Sequence, residues 1–481
     1  MYTFLHLKRN ILRSLIVLVI CLTFFVSASS MAFASGATLK LSRTSGPPTS
    51  NVVLSGTNFG VTEQVNITFD TNAIGSAMTD NSGAFSTKIM IPAWAIPGKH
   101  TIQATGFRSK ITSFASFLVR TNWSMFGFNA QHTHFNPYEN LIGTGNVVKL
   151  SVGLNYPTGA SILSSPAVVN DVAYIGSMNG NLYAINTTTG VKLWSFNVGA
   201  GAIIDSSPAI ANGVVYIGES GDVLSATRLF ALNVKTGAKL WSFDTGSGID
   251  SSPTVLNGLV YVRSGDNVYA LKTSNGAKLW SYALGGFSSS SPAIANGVVY
   301  VGSGDGNVYA LNAASGTKLW SYNTGASIES TPTVASSIIY VASSDGNLYA
   351  LNASNGAKLW SFNTYGSDSS PAVAKGILYI GSYSGTLYAL NASSGTKLWS
   401  YTITSSMDID SSPAVANGVV YVGAKDDNVY AFDAATGAEL WSYATGTPGF
   451  LQGVGSSPAV ADGKVYIGSR DGNLYAFCLC G

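Results

Sequence analysis

The chain has 481 residues, 46% of them hydrophobic and only 10% charged, with a formal net charge of +2. Such a chain buries a large core and is not wholesale disordered, and so small a net charge supplies no field for gathering nucleic acid or an anionic membrane. Its 53 glycines, spread among Ser, Thr, Asn, Val, Ile, Tyr and Trp, suit short strands and tight turns, so the expected fold class is all-β.

Lys8, Arg9 and Arg13 precede the apolar run Leu15 to Val26, and Ala32-Phe33-Ala34 follows within a small-residue stretch. This pattern predicts a cleaved export signal over residues 1–34, because the apolar run is short for a membrane span. The expected location is extracellular or at the cell surface, with no transmembrane span after cleavage. Ile20 stands before Cys21 where a lipoprotein signal carries a small residue, so lipid attachment is not expected.

Residues 36–120 read as alternating β segments such as NVVLSGTNF, QVNITFD and KHTIQATGF, broken by Gly-Pro-Pro at 46–48 and Pro97-Gly98. They predict a small β-sandwich that resembles the Ig-like modules of bacterial surface proteins, acting as a spacer. Residues 121–145 form an entry segment containing NWSMFGFNAQHTHFNP (122–137). Its His132-x-His134 pair has no neighbouring carboxylate or cysteine in sequence, so packing or surface roles are expected before metal binding.

From about residue 146 one unit recurs. Pro166, Pro208, Pro253, Pro292, Pro332, Pro371, Pro413 and Pro458 mark it at intervals of 39 to 45 residues. That period, with four strand signals and almost no helix per unit, predicts a β-propeller. The first strand follows a Ser/Thr-Pro, and proline, lacking an amide donor, suits the innermost edge. Asn-Gly and Asp-Gly turns lead into a third strand such as NVYALN, which ends at a left-handed glycine. Four residues beyond each such glycine stand Trp194, Trp241, Trp280, Trp320, Trp360, Trp399 and Trp441. These indoles are expected to fill the wedges between blades, burying ~150 to 250 Å² each. There are eight first strands but seven tryptophan-bearing fourth strands, so the missing strand is assigned to 146–163, pairing with 474–478. The expectation is an eight-bladed propeller over 146–481, closed by strands from both chain ends.

ALNVKTGAKLWSFDTG (231–246) resembles the tryptophan-docking repeat of the pyrroloquinoline-quinone (PQQ) propeller superfamily, through Ala231, Asn233, Thr236, Gly237, Trp241 and Gly246. The entry segment is similar to that of PQQ-like repeat proteins. The resemblance covers residues 121–481 and implies the fold. It also implies two trades: quinoprotein dehydrogenases, which hold PQQ and calcium with adjacent cysteines, Glu, Asn and Asp ligands and a stacking tryptophan, and the non-catalytic barrel-assembly scaffold of outer membranes. This chain has no Cys-Cys pair and its propeller tryptophans are assigned to docking, so it resembles the scaffold kind more closely.

No catalytic residue is predicted. The repeats contain no histidine, and no phosphate loop or H-E-x-x-H pattern occurs. One column departs from uniformity, because Asp205, Asp250, Glu329, Asp368 and Asp410 precede Ser/Thr-Pro pairs. Converging at one channel mouth they would form a ring for a cation or cationic ligand; the plainer reading is that they solvate strand entries and cap turn amides. Cys478 and Cys480 are able to form a disulfide or hold a metal, and an incidental tail is the favoured reading. The expected function is an exported, non-catalytic scaffold binding a protein or cell-envelope partner, with no cofactor. PQQ-dependent oxidation (PQQ and calcium) and carbohydrate or wall-polymer recognition, through Tyr365 or Tyr383, are the alternatives. The insertion 218–228 and loop 446–455 are where units differ most.

Overall fold

A computed structural model describes residues 36–221, 227–403, 408–446 and 453–480. The expected export signal therefore lies outside the described residues, as do parts of the two loops where the units differ most. The chain divides into two compact units, one made mainly of 49–92 and 99–117, the other of 45–48, 93–98 and everything from Leu118 onward.

In the first unit, Thr38–Leu41, Asn51–Thr57 and Phe85–Met90 form one sheet, while Thr112–Val119, Gly98–Gly106, Gln64–Phe69 and Asn72–Met78 lie side by side in another. Alternation in Asn51–Thr57 and Gln64–Phe69 turns Val52, Leu54, Val65, Ile67 and Phe69 inward, while the intervening polar residues face solvent.

The second unit contains seven four-stranded sheets and one five-stranded sheet. Antiparallel hairpins connect successive strands, as in Ala167–Val169, Val172–Gly176, Asn181–Asn186 and Lys192–Asn197, and Phe135–Asn136 adds a parallel strand at the inner edge of the five-stranded sheet. The innermost strands touch in a closed circuit, from 167–169 round to 459–461 and back. In the last sheet Ser151–Pro157 lies antiparallel to Asn473–Cys478, so the two ends of the repeat region share it, as the missing tryptophan strand required. Among the described residues no helix is long and apolar enough to cross a membrane.

Each tryptophan sits where two sheets meet. Trp320 donates its indole N–H to the Ala353 carbonyl of the next sheet at 3.1 Å, and Trp280, Trp360 and Trp399 do likewise to Ala313, Ala392 and Ala434. Trp194, Trp241 and Trp441 reach Val234, Thr273 and Leu150 in the same way. The turn glycine of the next sheet makes room. A Cβ on Gly316, already at φ +74, would lie 2.6 Å from Trp280. In the closing sheet Leu154 takes the tryptophan's place, packing near Gly190.

The repeated serine pair also has a structural cause. The second residue of each pair donates its backbone N–H to the side-chain oxygen of its counterpart one sheet on, from Ser165 to Ser207, Ser252, Ser291, Thr331, Ser370, Ser412 and Ser457. Ser457 then donates to Ser165 Oγ at 2.9 Å, completing a ring of eight hydrogen bonds around the axis. Short inner strands leave these amides no ladder partner, and the neighbouring hydroxyl supplies one.

Cys478 and Cys480 form a disulfide at the end of the last strand, one of the pairings the sequence leaves open.

Candidate functional site

The axis of the ring is filled at one end by the protein itself. Trp123 exchanges backbone hydrogen bonds with Val168, and the carbonyls of Ser124, Ala130, Gln131, Thr133 and His134 accept the amides of Ile210, Ile294, Val334, Val373 and Val415. His132 Nε2 lies 2.8 Å from Thr254 Oγ1, and the Asn136 amide donates to the Val460 carbonyl at 2.8 Å. Residues 123–136 thus bond to all eight inner strands. The inner edge is the one row of backbone donors a propeller leaves open, and this segment caps it. To follow the circle the segment turns tightly, with Gly127, Phe128, His132 and His134 all left-handed (φ +68, +75, +54 and +51).

His132 and His134 are fully buried, each edge-on to Phe126. Burial pushes both imidazoles down to about 3, so both are neutral. They are packing groups of the plug.

The five acids lie on the approaches to the inner strands, the mouth of the ring, where Asp250 acts on Asp205, and Asp410 and Glu329 act on Asp368. Burial and the neighbouring Asp250 push the Asp205 carboxyl up to about 6, against the pull of Arg470. Burial raises that of Asp368 too, with Asp410 and Glu329 adding to it, although Tyr383 donates its hydroxyl to this carboxylate. Glu329 accepts from Ser289 N at 2.8 Å and Ser327 Oγ at 2.7 Å, and Asp250 accepts from Ser220 Oγ. Lys425 pairs with Asp408 and Asp410. Four of the acids are separately engaged, while Asp205 Oδ1 is buried without a hydrogen-bond partner, and cations are interspersed; among the described residues no three His, Cys, Asp or Glu side chains gather closely enough to hold a metal ion.

Ser220, Tyr383 and Lys425, and Arg470 acting on Asp205, come from one column of the repeat that sequence reading passed over. Each sheet bonds to its own approach loop through the amide of Met178, Ser220, Gly265, Gly304, Ser344, Tyr383, Lys425 or Arg470. The backbone role is constant and the side chain changes at nearly every turn. Comparing the eight copies position by position would have exposed it, because regular positions carry the fold and variable ones the specificity. Phe287 (55% exposed) and Tyr365 (72% exposed) stand on the loops that approach this mouth. Tyr383, expected as an exposed tyrosine, is half-buried and tied to Asp368.

Arg263 is a second irregularity. Elsewhere its position is Gly176, Gly218, Gly302, Ala342, Gly381, Gly423 or Gly468. At Gly302 a Cβ would lie 2.4 Å from Ile328 Cγ2 of the next sheet, and Gly176 and Gly218 face Ile204 and Ile249 as tightly. Beside Arg263 the counterpart is Ser288, and beside Ala342 it is Ser367. The smaller side chain opens the space that the larger one occupies. The Arg263 guanidinium, 1% exposed, donates to the Gly286 carbonyl. Burial lowers it to about 10, while Glu329, Asp266, Asp305 and Asp250 oppose the fall.

The mouth does not suit a pyrroloquinoline quinone. That anionic, carboxylate-bearing ring would meet acids without a shared cation, and the propeller tryptophans that would stack on it are committed to the sheet junctions.

A family model described as outer membrane protein assembly factor BamB matches residues 225–370 and 346–479, and one for the β-propeller domain of glucose/ethanol/alcohol dehydrogenases matches 123–250. Among solved structures, the quinohemoprotein alcohol dehydrogenase of Comamonas testosteroni is 17% identical, with TM-score 0.64, over 75% of this chain and 81% of its own. BamB from Moraxella catarrhalis is 21% identical, with TM-score 0.59, over 68% and 99%. The computationally designed Ika8 protein is 18% identical, with TM-score 0.58, over 68% and 99%. At these identities the likeness is one of fold. No curated protein matches the chain.

Proposed function

The chain belongs to the PQQ-like β-propeller superfamily, which holds both BamB-type assembly factors and quinone-dependent dehydrogenases, and from that premise we propose that it is an exported, non-catalytic binding scaffold. It uses the open mouth of the ring to hold a basic segment of a protein or envelope partner. The observation that carries this reading is the plug, whose residues 123–136 bond to every inner strand; on this reading the channel is a blind cup, and its open end presents Asp205, Asp250, Glu329, Asp368 and Asp410 beside exposed Phe287 and Tyr365. Aromatic anchors with charges of mainly one sign are the anatomy of a protein-recognition rim. Residues 1–34 direct export, 36–120 serve as a spacer module, and the site of action is the cell surface or envelope. The matched assembly-factor model agrees with this reading.

The test is capture from the native envelope by cross-linking to the full chain and to a Phe287→Ser/Tyr365→Ser variant. The reading expects a partner that is lost with the variant and weakened by salt. Equal capture by both proteins, or turnover of alcohols on addition of PQQ and calcium, would reject it.

A further inference from the structure

The small net charge of the whole chain hides an uneven distribution. Residues 36–117 carry six Lys and Arg against three Asp and Glu, while 118–481 carry sixteen against twenty. The first unit is basic and the propeller acidic, so whole-chain charge is a poor guide to what the first unit meets.

Two of its cations, Arg108 and Lys110, stand at a tip of unusual composition. The loops 58–63 and 106–111 come together on the carboxylate of Glu63, which is 1% exposed and accepts hydrogen bonds from the backbone of Gly60, Arg108 and Ser109, each at 2.8 Å, and from Ser109 Oγ. Burial alone would raise this carboxyl, yet the donors outweigh it and hold it down to about 2, so the clamp is charged at any physiological pH. Arg108 donates to the Thr62 carbonyl, Thr79 Oγ1 to that of Gly60, and Thr62 N to that of Asp80. Three loops are thereby fixed to one another.

On this fixed base stand apolar side chains with nothing over them. Val61 is 58% exposed, Met78 63%, Phe107 59% and Ile111 37%. Met78 and Phe107 flank Gln64, the first by strand register and the second through its amide bond to the Gln64 carbonyl. Exposed Arg108 and Lys110 lie between Phe107 and Ile111, with the Lys110 ammonium 5.1 Å from the Phe107 ring. Glu63 is buried within the clamp, and the neighbouring acid Asp80 is turned to its own loop, accepting from Ser82 N, Ser82 Oγ and Ala84 N.

We propose that this tip, Val61, Met78, Phe107 and Ile111 with Arg108 and Lys110, is a docking surface for an anionic lipid bilayer, the apolar side chains entering the headgroup region and the two cations meeting lipid phosphates. Charge complementarity selects lipid over a neutral polymer. The rigid base means that little order must be gained on binding. The first unit thus does more than space the propeller from the surface, and this proposal does not depend on what the propeller binds.

The test is co-sedimentation of the full chain with vesicles of phosphatidylglycerol and phosphatidylcholine, against phosphatidylcholine alone. Parent binding should be preferential for the anionic vesicles and weaken with salt. Each cation near such a surface contributes about fivefold, so Arg108→Ser/Lys110→Ser should bind about 25-fold more weakly. Val61→Ser/Phe107→Ser should also lose binding, with unchanged salt dependence. Because Arg108 braces Thr62, Lys110→Glu, at a side chain that lies against the Phe107 ring, provides a variant expected to melt like the parent. Equal binding of parent and variants would place membrane affinity in the N-terminal apolar run and overturn the proposal. So would equal binding to both vesicle types, or capture of a protein in place of lipid.

Discussion

Acidification should loosen the protein through His132 and His134. An unfolded histidine titrates near about pH 6.5, whereas both plug imidazoles are held down to about 3 by burial. Below the unfolded value the unfolded chain binds protons that the folded chain refuses, so stability is complete above that pH and falls as pH drops toward 3. The loss is about 1.4 kcal/mol per histidine per pH unit well below the unfolded value, so from about pH 6.5 to about pH 4.5 each removes about 2 to 3 kcal/mol and the pair about 5 kcal/mol. His134→Phe keeps a ring against Phe126 and removes one titration. Denaturant unfolding of parent and variant at both pH values isolates the term, because the carboxylates are common to both. The parent should lose about 2 to 3 kcal/mol more than the variant. Equal losses would mean that the histidines reach water in the folded state, and that the segment does not fill the axis.

Other consequences follow from the junctions and the mouth. Trp320→Ala removes a ring packed between Tyr300 and Gly356 and should destabilise the fold by about 3 to 5 kcal/mol, read by denaturant unfolding; a loss under about 1 kcal/mol would deny the wedge role. Ser370→Ala leaves the buried amide of Thr331 without its acceptor and should cost about 1 to 3 kcal/mol by the same assay. Ser288→Ile should be badly tolerated beside Arg263 and partly rescued by Arg263→Gly, with a coupling of about 0.5 to 3 kcal/mol in a double-mutant cycle. Additive effects would show that the two side chains do not share one space.

Much of this architecture is legible in the sequence because it is written many times over. Proline lacks an amide, glycine alone tolerates the left-handed turn against an indole, and the one missing tryptophan strand identifies where the chain ends meet. The plug is written once and has no period. Its bonds run to backbone atoms of strands far away in sequence, so that NWSMFGFNAQHTHFNP shows only as an aromatic and histidine-rich stretch. The acids of the mouth were visible as a column, whereas Lys425, Arg470 and Tyr383 belong to the column that varies. Attention to what repeats hides what differs. Arg263 was findable in the same way, as the one bulky residue in a column otherwise made of glycine and alanine, with Ser288 replacing isoleucine opposite.

Amide hydrogen exchange at Ile210, Ile294, Val334, Val373 and Val415 tests the filled axis most directly, since each of these inner-strand amides donates to a carbonyl of residues 124–134. If the segment closes the ring, the five should exchange as slowly as amides inside the sheets and become labile together when it is displaced. Rapid exchange of these amides in the native protein, beside slow exchange in the paired strands, would mean an open channel and would contradict the blind cup on which the binding function rests.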